Sequence, residues 1–403
     1  MLTDLKVDVI PEVTYLVGSE NTLRQMPHVP AKVPFDNAVL SFLNDLSQHL
    51  MHSGTAKAYS DVVTFAFWIR RASLLKLKER FLKYDGVIRL GKGLVFHIAP
   101  SNVPVNFAYS MVSGLLCGNA NIVRVPTKDY EQVVILAKAI SSVLEQHPDV
   151  KPYVCLVRYG HDKEVNDLFS SIADMRVIWG GDQTIEEIRR SPLPPRSGEI
   201  TFADRYSFAV IDSDAYLVLE DKGKIAEGFY NDTFFSDQNA CTSPRLVVWT
   251  GKQKEEAKKV FWELEHDVAK RKYIFQDIQG INKLVKSCLA AVHWPGAHIL
   301  PHEDNLIVRV EVPDLDGLIG LRENSGFFYE YDCDDLMELK NLCADKRCQT
   351  ISYIGEKDAF LPLLRSGIKG TDRIVPIGKT MDFDLIWDGY DLTSVMTRVV
   401  TIE

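Results

Sequence analysis

The chain contains no Cys-x-x-Cys pair and no Gly-x-Gly-x-x-Gly. The first absence argues against a metal site, and the second against the commonest dinucleotide-binding fingerprint. No apolar run approaches the roughly 20 residues of a membrane span. Met1 is followed by Leu-Thr-Asp instead of a basic segment and an apolar core, so a soluble, non-secreted, cytoplasmic chain is expected. Cysteine is sparse and odd in number, at positions 117, 155, 241, 288, 333, 343 and 348, which reads as reduced thiols and not as a disulfide framework. Basic residues do not cluster, and 46 Lys and Arg against 55 Asp and Glu leave a charge of −9. Nucleic acid is therefore not the expected partner, because phosphate neutralisation needs a concentrated basic face. No internal repeat or low-complexity tract is present. The 403 residues, 46% of them hydrophobic and 25% charged, fit a globular chain of two or three domains.

Residues 38–50 and 56–83 carry apolar residues at helical spacing and predict a helical lead-in over 1–90. From Gly91 short β-like runs alternate with helix-length segments, the pattern of a doubly wound parallel sheet. Strands are expected at 93–98, 121–125, 154–158 and 176–179, with helices at 105–117, 130–146, 162–172 and 183–190. The stretch 191–198, rich in Pro, Ser and Gly, marks a domain crossing or an exposed loop. A second α/β block follows, with strands at 207–211 and 245–250 and a long helix at 252–273. The domains expected are a lead-in over 1–90, a nucleotide-binding domain over 91–206, a catalytic domain over 207–385 and a terminal arm over 386–403. The Val- and Thr-rich segment 392–402 reads as a strand able to pair across a subunit interface.

Four places have the residue types that chemistry needs. Cys241 lies in the small, polar stretch Ser236-Asp-Gln-Asn-Ala-Cys-Thr-Ser-Pro-Arg245, where a thiol can be exposed near backbone amides that favour thiolate; a buried structural cysteine is the other reading. Asn102 lies in His97-Ile-Ala-Pro-Ser-Asn-Val-Pro104, at a strand end where a side-chain amide can meet an oxyanion or merely form an Asx turn. Gly180-Gly181-Asp182 opens a helix after a strand, as a phosphate-facing helix start or a structural turn. Arg124 ends a strand as a cation for a ribose 2′-phosphate or as a solvated edge charge.

The order and spacing of His97–Pro104, Gly118–Lys128, Trp179–Thr184 and Ser236–Arg245, with Arg373-Ile-Val-Pro-Ile-Gly378 and Trp387-Asp-Gly-Tyr-Asp391, resemble the aldehyde dehydrogenase superfamily. Within it they are most similar to the acyl-CoA reductases of the LuxC type, the fatty-acid reductases of bacterial bioluminescence. The resemblance covers roughly residues 90–400. It implies an aldehyde dehydrogenase-like α/β fold with a terminal oligomerisation strand. It also implies NADPH-dependent reduction of an acyl-CoA or acyl-carrier thioester to an aldehyde through an acyl-enzyme. On that footing Cys241 is the nucleophile and Asn102 the oxyanion donor, while Pro100, Ser101, Arg124, Thr127, Gly180, Gly181 and Asp182 hold NADP(H). Phe234 and Phe235 line an acyl tunnel or pack in the core. A homo-oligomer, and acyl-transferase and acyl-activating partner enzymes, are implied as well. Other readings of the same resemblance are a CoA-independent aldehyde dehydrogenase and a catalytically silent scaffold subunit. One departure stands out: the hydrolytic members have a Glu before a strand where this chain has Phe202, with only Glu199 and Asp204 nearby to replace it.

Overall fold

The computed structural model describes residues 12–82, 87–301 and 304–402. The expected lead-in therefore lies partly outside the described residues, at 1–11 and 83–86. The chain divides into two compact units, Met1–Ala203 with Tyr390–Glu403, and Asp204–Gly389.

The first unit is built on a six-stranded sheet. Its strands run in the order Thr14–Val17, Val154–Arg158, Ala120–Arg124, Leu94–Ile98, Met175–Trp179 and Gly198–Phe202. All pair in parallel except the edge strand Thr14–Val17. The central strands Leu94–Ile98, Ala120–Arg124 and Met175–Trp179 are buried at every position. Parallel strands covered by helices on both faces require such continuous apolar runs. Connections run outward in both directions from Leu94–Ile98, so the strand order switches where the turns after Ile98 and Trp179 leave the sheet.

Four expectations change in detail. The run 56–83 is three helices, Gly54–Lys57, Ser60–Trp68 and Arg71–Phe81. The second ends where the Phe67 carbonyl is claimed by the Arg70 Nε and Ser73 hydroxyl instead of by a continuing helix. The lead-in also holds the strand Thr14–Val17, whose four residues are too few for alternation to register. Of the two readings of 191–198 the loop applies, within the first unit, and it leads into the unforeseen strand Gly198–Phe202. Segment 392–402 begins as a helical turn, Leu392–Val395, capped by the Asp391 carboxylate. Only Thr397–Val400 is a strand, and it pairs antiparallel with Ile88–Gly91 of the same chain.

A directed chain of hydrogen bonds lies beneath the switch point. Trp179 Nε1 donates to Ser110 Oγ at 3.0 Å, and Ser110 Oγ meets His97 Nδ1 at 2.7 Å. His97 Nε2 lies 2.9 Å from Asn121 Oδ1, and the Asn121 amide nitrogen donates to the carbonyls of Asn119 and Tyr153. Because that nitrogen is the amide's donor, Oδ1 must accept, which places the imidazole proton on Nε2. Helix Asn106–Leu116 comes this close through Gly114, where a Cβ would stand 1.8 Å from Asn121 Oδ1.

The second unit carries seven strands in the order His298–Ile299, Val308–Glu311, Phe327–Asp332, Pro244–Thr250, Tyr206–Asp212, Cys348–Ile354 and Arg373–Pro376, parallel except for the first. Tyr206, Phe208, Leu246, Val248, Phe327 and Tyr329 fill one side of this sheet. Trp249, Phe261 and Phe328 belong to the cluster on the other. Helix Asp277–His293 is anchored by Lys283, which donates to the carbonyls of Asn305 and Leu306. The same helix leaves Ile278, Ile281, Leu284, Val285, Leu289 and Val292 exposed.

Burial lowers the His97 pKa from 6.5 to about 4, with the Asn121 contact opposing only in part. The folded chain keeps the ring neutral while the unfolded chain protonates it below 6.5. This stability is full above pH 6.5 and is lost as pH falls towards 4, by roughly 3 kcal/mol at most. Urea midpoints measured across that window should fall for the wild type and fall less steeply for His97→Gln. Equal slopes would assign the acid sensitivity to other groups.

Candidate functional site

Ile98 is the register partner of Ile178 on one side and of Arg124 on the other, so three loops of interest leave neighbouring strand ends of the first unit. Ser101 and Asn102 are exposed and Pro100 is half-buried. The Ser101 carbonyl accepts from the Tyr130 hydroxyl at 3.0 Å. Two residues beyond Asn102 stands Pro104, which has no N–H, so an Asx turn onto that residue is not available to the Asn102 side chain. Arg124 is not a solvated edge charge: it is buried, donates to the Gly160 carbonyl at 2.9 Å and lies 4.8 Å from the Tyr159 ring centre. Thr127, Gly181 and Asp182 are exposed and Gly180 is half-buried. Asp182 occupies the first turn of helix Asp182–Arg189, where its carboxylate stabilises the helix and opposes an approaching phosphate.

The candidates for a missing base are accounted for. Phe202 is buried and stacks on Trp179 with ring centres 3.7 Å apart. Glu199 is bound by Arg176 through Nε and Nη2, at 2.8 and 2.5 Å, and by Arg189 at 2.7 Å. Arg176 is itself buried, and its remaining donor bonds Ser170, Ile188 and Ser191. Asp204 faces Arg322 at 3.4 Å.

In the second unit Cys241 stands at the N-terminal edge of the sheet, before strand Pro244–Thr250. Helix Lys222–Asp232 gives way to the short 3₁₀ turn Phe234–Ser236, then to two consecutive left-handed residues, Asp237 (φ 52°) and Gln238 (φ 53°). Left-handed backbone costs energy for residues other than glycine, so something must hold it. The buried Gln238 side chain does: its nitrogen donates to the carbonyls of Pro244 and Phe327, and its oxygen accepts from Gly326 N–H at 2.7 Å. Arg245, also buried, donates to the carbonyls of Gln238 and Glu323. The Cys241 carbonyl accepts from Ser207 Oγ at 2.7 Å. Sequence reading passed over Gln238, since one amide in a run of small polar residues carries no signal of being its anchor.

The half-buried Cys241 thiol does not have the expected thiolate-favouring surroundings. Burial pushes its pKa up to about 12, the Asp388 carboxylate adds to this, and Arg245, Asp204 and Arg205 have smaller effects of either sign. Desolvation of a charged sulfur is the dominant cause there. Phe234 is a core residue, packed against Tyr230, Tyr273 and Phe328, whereas Phe235 is 46% exposed. Among the described residues no group of three or more His, Cys, Asp or Glu is placed to hold a metal ion, and no helix is long and apolar enough to cross a membrane.

Cys288 is the exposed cysteine of the described set. With iodoacetamide at pH 8 and no substrate, peptide mass spectrometry should find Cys288 alkylated first. Cys241 should react at least about tenfold more slowly, because the thiolate is the reacting species and a tenfold loss of it accompanies each unit of raised pKa. Cys241 labelling as fast as Cys288 would contradict the desolvated environment.

Comparison with known proteins adds the following. Over 318 residues the chain is 26% identical to a long-chain acyl-protein thioester reductase of Photorhabdus luminescens, a match taking in 77% of this chain and 63% of that protein. A protein of the same name from Vibrio harveyi is 30% identical over 170 residues, 41% of this chain and 34% of its own length. The chain thus matches less than two thirds of the length of these curated relatives. Among solved structures, the glyceraldehyde-3-phosphate dehydrogenase GapN of Methanocaldococcus jannaschii, complexed with NADP, superposes with a TM-score of 0.66 at 15% identity, covering 95% of this chain and 92% of that one. The lactaldehyde dehydrogenase of Escherichia coli gives 0.63 at 14% identity, covering 94% and 88%. The fold is that of the aldehyde dehydrogenases. The profile of the acyl-CoA reductase (LuxC) family matches residues 7–280, and the chain belongs to that family.

Proposed function

We propose that the chain reduces an acyl thioester to an aldehyde, using a nicotinamide cofactor and an acyl-enzyme on Cys241. The observation that carries this reading is the Cys241 loop, where Gln238 and Arg245 fix two left-handed residues to hold a half-open thiol at one end of a rigid sheet. The names of the relatives supply the substrate class, an acyl group carried as a thioester on a protein; acyl-CoA presents the same bond.

The switch in strand order after Ile98 and Trp179 supports a nicotinamide partner for the first unit, and the NADP held by the neighbour GapN makes NADP(H) the form proposed. Pro100, Ser101, Thr127, Gly180 and Gly181 stand at the strand ends where it would lie, whereas Asp182, whose carboxylate repels phosphate, and Arg124, buried on the Gly160 carbonyl and Tyr159, are left out of the proposed set. When bound, the nicotinamide supplies the hydride. The chain's own groups do the rest. Cys241 Sγ attacks the thioester carbonyl carbon, the incoming thiol departs, and the acyl group stays on sulfur. The oxyanion is assigned to the Asn102 amide. After hydride arrives at the acyl carbon, the carbon–sulfur bond breaks and aldehyde leaves. With Phe202 stacked on Trp179 and Glu199 bound to two arginines, neither activates water, which supports an acyl-enzyme that waits for hydride or thiol in place of hydrolysing.

Mixed with acyl-CoA and no reduced cofactor, the protein should gain one acyl group on Cys241 by intact mass, reversed by free CoA and absent in Cys241→Ala. Free fatty acid released as fast as aldehyde forms with NADPH would mean a thioesterase instead. Asn102→Ala should slow turnover by about 10²–10³ with cofactor affinity retained. Unchanged turnover in that variant would remove Asn102 from the oxyanion role.

A further inference from the structure

Helix Asp277–His293 turns its apolar side outward. The side facing the sheet carries Lys283, Ser287 and Ala290, all buried, and Lys283 is accommodated there by donating to the carbonyls of Asn305 and Leu306. The outward row is Ile278, Ile281, Val285, Cys288 and Val292, all exposed, with Leu284 and Leu289 exposed beside it. Successive members of that row are three, four, three and four residues apart, the repeat that lets one side of a helix lie along a second helix. A helix covering only its own sheet buries the aliphatic row and leaves lysine and serine in water. The reversal here marks the outward row as a surface made to be covered.

A second copy of the same helix fits that row on three counts. One is charge. Between Asp277 and His293 the charged residues of the helix are Lys283, turned inward, and Lys286, which pairs with Glu323 of its own chain at 3.0 Å, so a copy laid on the row buries no unpaired charge. Another is area: Ile278, Ile281, Leu284, Val285, Leu289 and Val292 are each more than half exposed and present roughly 700 Å², against the about 800 Å² per partner of a stable complex. The last is register. With the two helices running in opposite directions, Ile278 faces Cys288 and Ile281 faces Val285 on both sides of the axis, and each of these layers is apolar. That direction also opposes the two helix dipoles, whereas a parallel pair would align them and bring the Asp277 carboxylates together.

We propose that this face joins two copies of the chain, helix Asp277–His293 against the same helix reversed. The pairing stands apart from the role given to Cys241, though the two share an element. Gln279, at the start of the helix, donates to the hydroxyls of Tyr273 and Ser325, at 2.8 and 3.1 Å. Both hydroxyls in turn donate to the Asp237 carboxylate in the cysteine loop. On each copy the interface is thus anchored to the loop that carries the thiol.

The test follows the mass of the full chain by sedimentation over a dilution series, together with iodoacetamide alkylation of Cys288. The mass should rise from one chain to two with concentration. Cys288, open in the dilute monomer, should react about tenfold more slowly in the dimer, because its sulfur is then covered. Val285→Lys, at an exposed position, sets an ammonium group against Ile281 of the other copy. That variant should keep the wild-type circular dichroism, remain at the mass of one chain and label at Cys288 independently of concentration. In Ile278→Cys, oxidised glutathione should link position 278 of one copy to Cys288 of the other, as read by peptide mass spectrometry. A wild type that stays at one chain's mass throughout overturns the proposal. So does a dimer that survives Val285→Lys or leaves Cys288 alkylation unchanged, since it is joined elsewhere. A link from Cys288 to Cys288 in place of the 278-to-288 link overturns the reversed direction. Should Val285→Lys lose its circular dichroism, the presence or absence of the link in Ile278→Cys decides.

Discussion

The amide of Gln238 is the interaction on which the second unit's site depends. A chain entering a buried parallel strand has few ways to offer a thiol at its start, because the preceding loop must turn sharply and still satisfy its backbone. Here Gln238 bonds Pro244, Gly326 and Phe327, which belong to or adjoin two neighbouring strands, and so ties the turn to the sheet itself. Arg245 closes the same loop from the other side. Tyr273 reinforces it through a hydrogen bond to Asp237. Strain in two left-handed residues is thus held by side-chain bonds to the sheet itself, which keeps the loop carrying Cys241 in one shape.

The fate of buried charge separates structural from chemical groups. Arg176 and Glu199 are fully answered, with each guanidinium nitrogen and each carboxylate oxygen occupied, and they join strand to strand. Glu265 is buried with neither oxygen bonded, but it stands beside Asp232 and Glu227, and burial with those like charges raises its pKa well above the ordinary carboxylate value. Asp388 differs from both: neither oxygen is bonded, and the cations Arg205 and Arg373 only partly offset its burial, so its pKa is raised to about 7. A satisfied buried charge reports on the fold, and an unsatisfied one marks a place where the fold carries a cost it does not need.

What sequence revealed follows the same division. Continuous apolar runs such as Leu94–Ile98 and Met175–Trp179 announce buried parallel strands, because nothing else permits them. Thr14–Val17, short and at an edge, carries no such constraint. The Cys241 segment was visible as a motif, but its thiol environment was not, since desolvation depends on what packs over the sulfur and not on its neighbours in sequence. Arg124 shows the same limit: a cation at a strand end reads as exposed until Tyr159 and the Gly160 carbonyl are seen to enclose it. Glu199 and Phe202 could be named as the residues near the absent base, whereas only the partners of Glu199 show why it is unavailable.

The apolar stripe on helix Asp277–His293 has a consequence for how the molecule behaves in bulk solution. Six aliphatic side chains on one helix present an apolar band, and like net charge on two molecules opposes the meeting of two such bands. A charge of −9 supplies that repulsion at pH 7, but the isoelectric point lies near 5.6. Mild acid and added salt both weaken that repulsion, so conditions near the isoelectric point favour self-association through the stripe.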